Sequence, residues 1–319
     1  MARVIPDTIN FAQYERDTEV QAKVRGGADF AELLAEYFDP ETEPPRQPEM
    51  FSTKLRSRLM FRPGEMTVWA GYNGHRKSLF TGQAALDLCV QQRRVLLVSL
   101  EMKPVDTLAR MGRQAFGTVR MTARQARAFA KWTDDRLWLF DHVGRLNPAK
   151  VLSVIRYFAE ELQGEHVFLD SMMMVCGSEE SMDEQKQFTT DLVRAAQEFS
   201  VHLHLIAHCR KPASGAEDKP PTKYDLRGSA AISDQAQNVV MVWANKAKAA
   251  KLEQFPHDEE ALSPAYRQES QRIAQGLNGG MVMLGMRTSK MGKAEFAEFL
   301  EFVMATAALR GVVLEDATA

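Results

Sequence analysis

The chain has 319 residues, of which 45% are hydrophobic and 26% charged, a balance typical of globular proteins and not of disordered or fibrous ones. Its formal net charge of −2 excludes a globally basic protein, so contact with nucleic acid has to come from local lysine and arginine residues. The length suits one large domain or two small ones, and we expect a single core with appendages.

The cysteine spacing and the lengths of the apolar runs indicate in which cellular compartment the protein is expected. Cys89, Cys176 and Cys209 show no C-x-x-C spacing and no even framework, which is typical of a reducing environment. The first residues lack the apolar stretch of a signal peptide, and no run approaches the roughly 18 apolar residues that would span a bilayer. We therefore expect a soluble, cytoplasmic protein without a membrane partner.

Residues 1 to about 50 are more polar than the rest, and residues 39–48 form a proline-rich acidic segment. Such a segment is typical of a linker, so it predicts a boundary between an N-terminal helical segment, 1–50, and a domain that follows. The helix is predicted from apolar residues at helical spacing, namely Phe30, Leu33, Leu34, Tyr37 and Phe38. Two packings remain open for it: against its own domain, or against a neighbouring subunit.

From Phe51 onward, apolar strands alternate with amphipathic helices. This alternation predicts an α/β fold with a mostly parallel sheet flanked by helices, as in P-loop ATPase cores. Helices are predicted at 79–92 and 148–162. Strands are predicted at 66–70, 94–100, 137–140, 166–169, 202–207, 239–243 and 281–286.

A candidate phosphate-binding loop lies between the first of these strands and the first helix. The pattern G-x-x-x-x-G-K-[ST] is matched at Gly71, Lys77 and Ser78, but Arg76 replaces the second glycine. In such loops backbone N–H groups surround an anion, the lysine reaches the β- and γ-phosphates, and the hydroxyl holds Mg²⁺. The predicted nucleotide-binding residues are Gly71, Asn73, Gly74, His75, Arg76, Lys77, Ser78 and Leu79.

The loop has a plainer interpretation, and Arg76 leaves three possibilities. The plainer interpretation is a glycine-containing turn before a helix, with Lys77 in solvent. Arg76 is either neutral, adds a phosphate contact or strains the loop; Asn73 and Gly74 still supply two residues tolerant of positive φ, so the turn could survive the loss of the later glycine.

Polar residues also follow three other predicted strands. Glu101 and Asp170 each end an apolar run, and in open α/β sheets the ligand lies at the carboxyl ends of the strands. An aspartate there can orient the water shell of Mg²⁺, and a glutamate can accept a proton from the attacking water. His208 ends a third strand and could sense the γ-phosphate, whereas His202 and His204 are ordinary strand positions. For each acid, the alternative is a helix cap or a solvent-facing carboxylate.

A basic loop follows His208. Residues 210–223 contain Arg210, Lys211, Lys219 and Lys223. Cations beside a nucleotide site are what a nucleic-acid motor requires, because they bind phosphates without reading bases. On composition alone a solvated loop is equally favoured.

Taken together, five segments in order resemble the motifs of the DnaB-type replicative helicases, most closely the Twinkle and phage primase-helicase branch. The resemblance covers roughly Phe51 to Phe302. The five segments are 71–78, 99–102 (S-L-E-M), 168–171 (F-L-D-S), 206–212 and 225–229 (D-L-R-G-S).

This resemblance implies a RecA-like ATPase that assembles as a hexameric ring and moves on single-stranded DNA in phage replication. Lys77 and Ser78 would bind ATP and Mg²⁺, with Asp170 as the second acid of the metal shell. Glu101 would be the catalytic base and His208 the γ-phosphate sensor. Arg287 matches the family's arginine finger, which reaches the ATP of the neighbouring subunit. Single-stranded DNA would be bound by Arg210, Lys211, Lys219, Lys223, Arg227 and Gly228.

The ATPase domain is expected to span 51–319, with 247–279 as an insertion. Gly285 stands where many relatives have a lysine. Because the segment before Phe51 is too short for a primase domain, a primase or a loader would be a separate partner. Two other functions remain open: a filament-forming recombination ATPase, and a weakly hydrolysing loader or regulatory subunit.

Overall fold

In the computed structural model, the described residues are 3–6, 28, 31–32, 35, 48, 50, 59–176, 182–210, 219–228 and 230–244. The predicted strand at 281–286 and the predicted insertion at 247–279 lie outside these ranges, as do the apolar residues of the predicted N-terminal helix. Residues 31, 32 and 35 are helical. In the described part of the chain, no helix is long and apolar enough to cross a lipid bilayer.

The core is a seven-stranded sheet in which every pairing is parallel. The strands lie in the order β1-β4-β3-β5-β6-β2-β7. Their bounds are β1 Arg3–Pro6, β2 Met66–Gly71, β3 Val95–Ser99, β4 Leu137–Asp141, β5 His166–Asp170, β6 His202–His208 and β7 Asn238–Met241. The predicted α/β class with a parallel sheet is therefore confirmed.

Helices cover both faces of the sheet. Their bounds are α1 Lys77–Val90, α2 Pro104–Phe116, α3 Ala123–Trp132, α4 Pro148–Leu162, α5 Met182–Phe199 and α6 Ala231–Asp234. Two separate apolar clusters result, because alternate strand residues point to opposite faces. Val68 belongs to the cluster with α4 and α5, whereas Trp69 belongs to the cluster with α1, α2 and α3.

One strand was not predicted. β1 lies within the segment that was expected to be helical, and it pairs in parallel with β4 at the edge of the sheet. Its four residues are too few to show a period, and Pro6 at its end is acceptable because an edge strand leaves N–H groups unpaired. Ile5 is buried in the cluster with α4 and α5.

A buried histidine cluster, His166, His202 and His204, lies between β5, β6 and the aromatic residues around them. The Trp69 indole N–H donates to Nδ1 of His204 at 3.2 Å, so Nε2 of His204 carries the proton and donates to Nδ1 of His166 at 3.3 Å. His202 donates from Nδ1 to the Arg62 carbonyl at 2.7 Å. Burial lowers the pKa of His202 to about 4 and that of the other two well below the ordinary histidine value. All three imidazoles are therefore neutral at pH 7.

Candidate nucleotide-binding site

The candidate phosphate loop connects the end of β2 to the start of α1. Gly71 ends the strand, and a Cβ at this position would lie 2.1 Å from the Val242 carbonyl oxygen, so only glycine fits. Nδ1 of the buried His75 accepts a hydrogen bond from the Ala244 N–H at 3.2 Å, which ties the loop to the segment after β7. Arg76 takes the left-handed conformation, with φ 64°, and is the N-cap residue directly before α1. The loop thus has the strand–loop–helix geometry of an anion site.

Lys77 lies inside the loop. Its Nζ donates to the carbonyls of Gly71 at 2.9 Å and Tyr72 at 3.0 Å, and the residue is only 6% exposed. Burial lowers the pKa of Lys77, and the nearby carboxylates of Asp170 and Glu101 oppose that shift. The plainer interpretation, a lysine in solvent, is therefore wrong.

Asp170, at the end of β5, lies beside the first turn of α1. Burial together with the charge of Glu101 raises the pKa of Asp170 above its ordinary value, and the Ser78 hydroxyl opposes that shift. Asp170 and Ser78 line a cavity of about 30 Å³ that also contains Thr107 and Arg110 of α2. The rest of the cavity wall is largely apolar, but the Ser78 hydroxyl and the Asp170 carboxylate are oxygen donors of the kind that Mg²⁺ prefers, so these two residues fit this ion.

Glu101, just after β3, faces the ends of β5 and β6. The Ser171 hydroxyl donates to Oε1 of Glu101 at 2.9 Å, and Nε2 of His208 is 3.9 Å from the same oxygen. His208 and Ser171 hold the pKa of Glu101 below its ordinary value despite partial burial. Glu101 is therefore ionised at neutral pH, as a proton acceptor must be. Glu101 does not cap α2, whose N-cap is Lys103, but its side chain is 46% exposed, so the alternative of a carboxylate facing solvent describes it in part.

Two residues of this site were not predicted. Ser171, which orients Glu101, follows Asp170 directly, but nothing in the sequence indicates that it contacts a residue 70 positions earlier. Arg110 lines the cavity beside Asp170, and the positive charge of its guanidinium favours the ionised form of that carboxylate. It is one of two arginines in the amphipathic helix α2, the other being Arg113, so no local signal separates the two.

The basic segment, which in the described part of the chain comprises Arg210 and residues 219–228, is attached to the end of β6. Cys209 and Leu226 form an antiparallel bridge, and the Arg227 N–H donates to the His208 carbonyl at 2.8 Å. Arg210, Lys219 and Lys223 are exposed, and Gly228 has φ 104°. The predicted DNA-binding residue Lys211 and the predicted arginine finger Arg287 lie outside the described residues.

Comparison with known families places residues 46–214, just over half of the chain, in the family described as AAA domain. A second family, described as NinB protein, matches residues 259–315. The second match overlaps the predicted insertion and covers Arg287. The predicted extent of the ATPase domain, 51–319, thus stays a prediction.

Solved structures share the fold. The "ATPase Domain of G40P" matches with a TM-score of 0.50 and 17% identity, over 56% of this chain and 69% of that one. A structure described as "The Structure Of A DnaB-Like Replicative Helicase And Its Interactions With Primase" matches with a TM-score of 0.55 and 16% identity, over 68% of this chain and 56% of that one. The expected resemblance to DnaB-type helicases is confirmed at the level of the fold. The chain belongs to the AAA domain family, and its ATPase fold is that of DnaB-like replicative helicases.

Proposed function

We propose that this protein is an ATP-dependent motor that moves along single-stranded DNA during replication, with ATP hydrolysed between the subunits of a hexameric ring. The observation that carries the proposal is the convergence of four strand ends on one edge of the sheet. There the phosphate loop, Asp170, Glu101 and His208 come together, and the basic segment is attached to the last of these strand ends. The similarity to helicase ATPase domains supports the same function.

In this proposal the phosphate loop binds ATP. Lys77 supplies a positive charge inside the loop for the β- and γ-phosphates, and the N-terminus of α1 adds backbone N–H groups. Ser78 and Asp170 would hold Mg²⁺, which when bound neutralises phosphate charge. Burial and the charge of Glu101 raise the pKa of Asp170, and the Ser78 hydroxyl, His208 and the Arg110 guanidinium partly oppose that shift.

Glu101 accepts the proton of the attacking water. Ser171 donates to one of its oxygens and fixes the orientation of the carboxylate. Nε2 of His208 lies 3.9 Å from the same oxygen, and in this proposal His208 responds to the γ-phosphate. Positioned general bases contribute about 100- to 10,000-fold in rate. Loss of the Glu101 carboxylate should therefore slow ATP hydrolysis by such a factor and leave ATP binding intact.

The nucleic-acid part of the proposal rests on the basic segment and on the sequence resemblance. The exposed Arg210, Lys219 and Lys223, together with Lys211, would contact the DNA backbone, and Arg227-Gly228 would line the same channel. Arg287 would act as the arginine finger in the neighbouring subunit. Because the NinB match covers Arg287, this last assignment depends on the motif order alone and requires its own test.

The decisive experiment measures steady-state ATP hydrolysis with and without single-stranded DNA. The variants are Lys77→Ala, Glu101→Gln and Arg287→Ala. Lys131→Ala and Glu160→Gln, exposed residues on α3 and α4, serve as matched controls. We expect stimulation by DNA in the wild type and in both controls, a loss of roughly 100-fold or more for Glu101→Gln with ATP binding retained, and loss of ATP binding for Lys77→Ala.

The outcomes also separate the competing functions. ATP binding without DNA-stimulated turnover would indicate a loader or regulatory subunit. Stimulated turnover with open filaments in electron micrographs, and no strand separation, would indicate a recombination ATPase. Full activity in Arg287→Ala would remove only the arginine finger and leave the rest of the site in place.

A further inference from the structure

One large side chain at the active edge of the sheet is exposed without an evident structural reason. Tyr224 is 80% exposed, the highest value among the exposed large hydrophobic residues of the described part of the chain. An aromatic ring gains free energy when its faces leave water, so a ring held open to solvent is available for a binding partner. Single exposed hydrophobic residues are common, however, and exposure alone identifies no site.

The ring is mounted on a fixed turn. Tyr224 is the middle residue of a short 3-10 helix, Lys223–Asp225, in which Oδ2 of Asp225 accepts from the N–H of Thr222 at 2.7 Å and from its hydroxyl at 2.9 Å. The next residue, Leu226, is buried and forms the bridge with Cys209. A turn that is closed on both sides presents the ring at a small cost in conformational entropy, which is the property of aromatic anchors at binding surfaces.

The charges around the ring select the chemistry of the partner. Nζ of Lys223 lies 5.2 Å from the centre of the Tyr224 ring. Two more exposed cations are close in the chain or bonded to the turn: Lys219 lies five residues before Tyr224, and Arg210 follows the end of β6. The carboxylate of Asp225 is engaged in the turn. A flat aromatic face among cations matches a ligand that combines phosphates with unstacked bases, which is single-stranded nucleic acid.

The turn is also close to the nucleotide site. The Arg210 N–H donates to the Asp225 carbonyl at 2.8 Å, and the Arg227 N–H donates to the His208 carbonyl at 2.8 Å. The Tyr224 turn is thus hydrogen-bonded on both sides to the strand end that carries His208, whose Nε2 is 3.9 Å from Glu101. A ligand bound to the ring would therefore act on a turn that is hydrogen-bonded to the strand end of His208, which lies close to Glu101.

We propose that Tyr224 is a stacking platform for one base of single-stranded DNA, beside cations that hold the adjoining phosphates. The inference rests on the proposed function, and it adds a base contact to a segment to which only phosphate contacts were assigned. Because every base has an aromatic face, the contact tolerates any sequence. It therefore suits a protein that moves along DNA.

The test compares binding of a fluorescent oligothymidylate and of a deoxyribose-phosphate strand of equal length without bases. The variants are Tyr224→Ala, Tyr224→Leu and Tyr224→Phe, with Val119→Ala as a control at another residue that is 73% exposed. We expect the Ala and Leu variants to bind oligothymidylate roughly 5- to 100-fold more weakly, and Tyr224→Phe to bind within about threefold of wild type. The strand without bases should bind the wild type and Tyr224→Ala equally.

The salt dependence of DNA affinity distinguishes the contribution of the Tyr224 ring from that of the neighbouring cations. Tyr224→Ala should leave the slope of log affinity against log salt unchanged, whereas Lys223→Ala should reduce it by about 0.7. Thermal unfolding and light scattering of each variant check the fold and the assembly, and the comparison of Leu with Phe remains decisive if Ala is unstable.

Three results would overturn the inference. If the wild type binds single-stranded DNA and Tyr224→Leu binds it equally well, the stacking contact is absent while the proposed function stands. If the Leu variant changes the mass of the assembly but not its DNA affinity, the ring contacts another subunit. If the wild type binds no single-stranded DNA, the proposed function fails together with this contact.

Discussion

Replacing Arg76 by glycine should leave the protein more stable than replacing it by alanine. Arg76 has φ 64° and ψ 24°, a left-handed conformation that costs a residue with a side chain about 1–2 kcal/mol. Glycine avoids this cost but loses about 0.5–1 kcal/mol more in chain entropy on folding. Relative to Arg76→Ala, which keeps the backbone strain, Arg76→Gly should therefore be more stable by about 1 kcal/mol.

Urea unfolding provides the measurement. With a slope of about 3 kcal/mol per molar urea, the midpoint of Arg76→Gly should lie about 0.3 M above that of Arg76→Ala. Gly74→Ala is the mirror control in the same loop: Gly74 has φ 75°, and nothing lies within 4 Å of an added Cβ, so the variant should lose about 1 kcal/mol through the backbone alone. Equal midpoints for the Gly and Ala variants at position 76 would refute the reasoning.

The same variants decide what the arginine does for nucleotide binding. A difference in ATP affinity between wild type and Arg76→Ala reports the guanidinium, since both share the strained backbone. A difference between Arg76→Ala and Arg76→Gly reports the strain. We expect the Ala and Gly variants to agree within about threefold, because the same backbone N–H groups face the phosphates in both.

Three further predictions concern the site and the core. Gly71→Ala should abolish binding of a fluorescent ATP analogue, because the new Cβ would lie 2.1 Å from the Val242 carbonyl oxygen; retained binding would mean that the loop can shift. Ser171→Ala should lower kcat about tenfold with little change in ATP affinity, because Glu101 loses the hydroxyl that orients it; a wild-type kcat would exclude a positioning role. The buried histidine cluster should make stability depend on pH. The pKa values of the three histidines are lower in the folded than in the unfolded protein. Their contribution to the free energy of unfolding is therefore complete above about pH 6.5 and falls by about 1 kcal/mol per histidine between pH 6.5 and 5.5. A flat denaturation midpoint over that interval would contradict the neutral hydrogen-bond chain.

Much of the fold could be read from local patterns. Apolar runs followed by amphipathic stretches identify six strands of the sheet, β2 to β7, and the predicted helix at 148–162 has the bounds of α4. β1 was not predicted, because a four-residue edge strand is too short to show an alternation of apolar and polar residues and is defined only by its pairing with β4.

Some residues of the candidate site were likewise predicted from local patterns, and others were found only in the structure. Glycine and lysine spacing identifies the phosphate loop, and the ends of apolar runs identify Glu101, Asp170 and His208, because backbone geometry ties such positions to the edge of a parallel sheet. The contacts of Ser171 and Arg110 join residues that are distant in sequence, and only packing brings them to Glu101 and Asp170.

The sequence by itself determined the fold class and the order of the motifs, because strand period, helix period and loop chemistry are local properties of the chain. Only the tertiary structure decided that Lys77 lies inside the loop, that Glu101 and His208 are close together, and that Tyr224 is exposed on a turn hydrogen-bonded to the end of β6. These facts depend on the strand order β3-β5-β6-β2, which brings together strand ends that are distant in the sequence and that no local pattern identifies as neighbours.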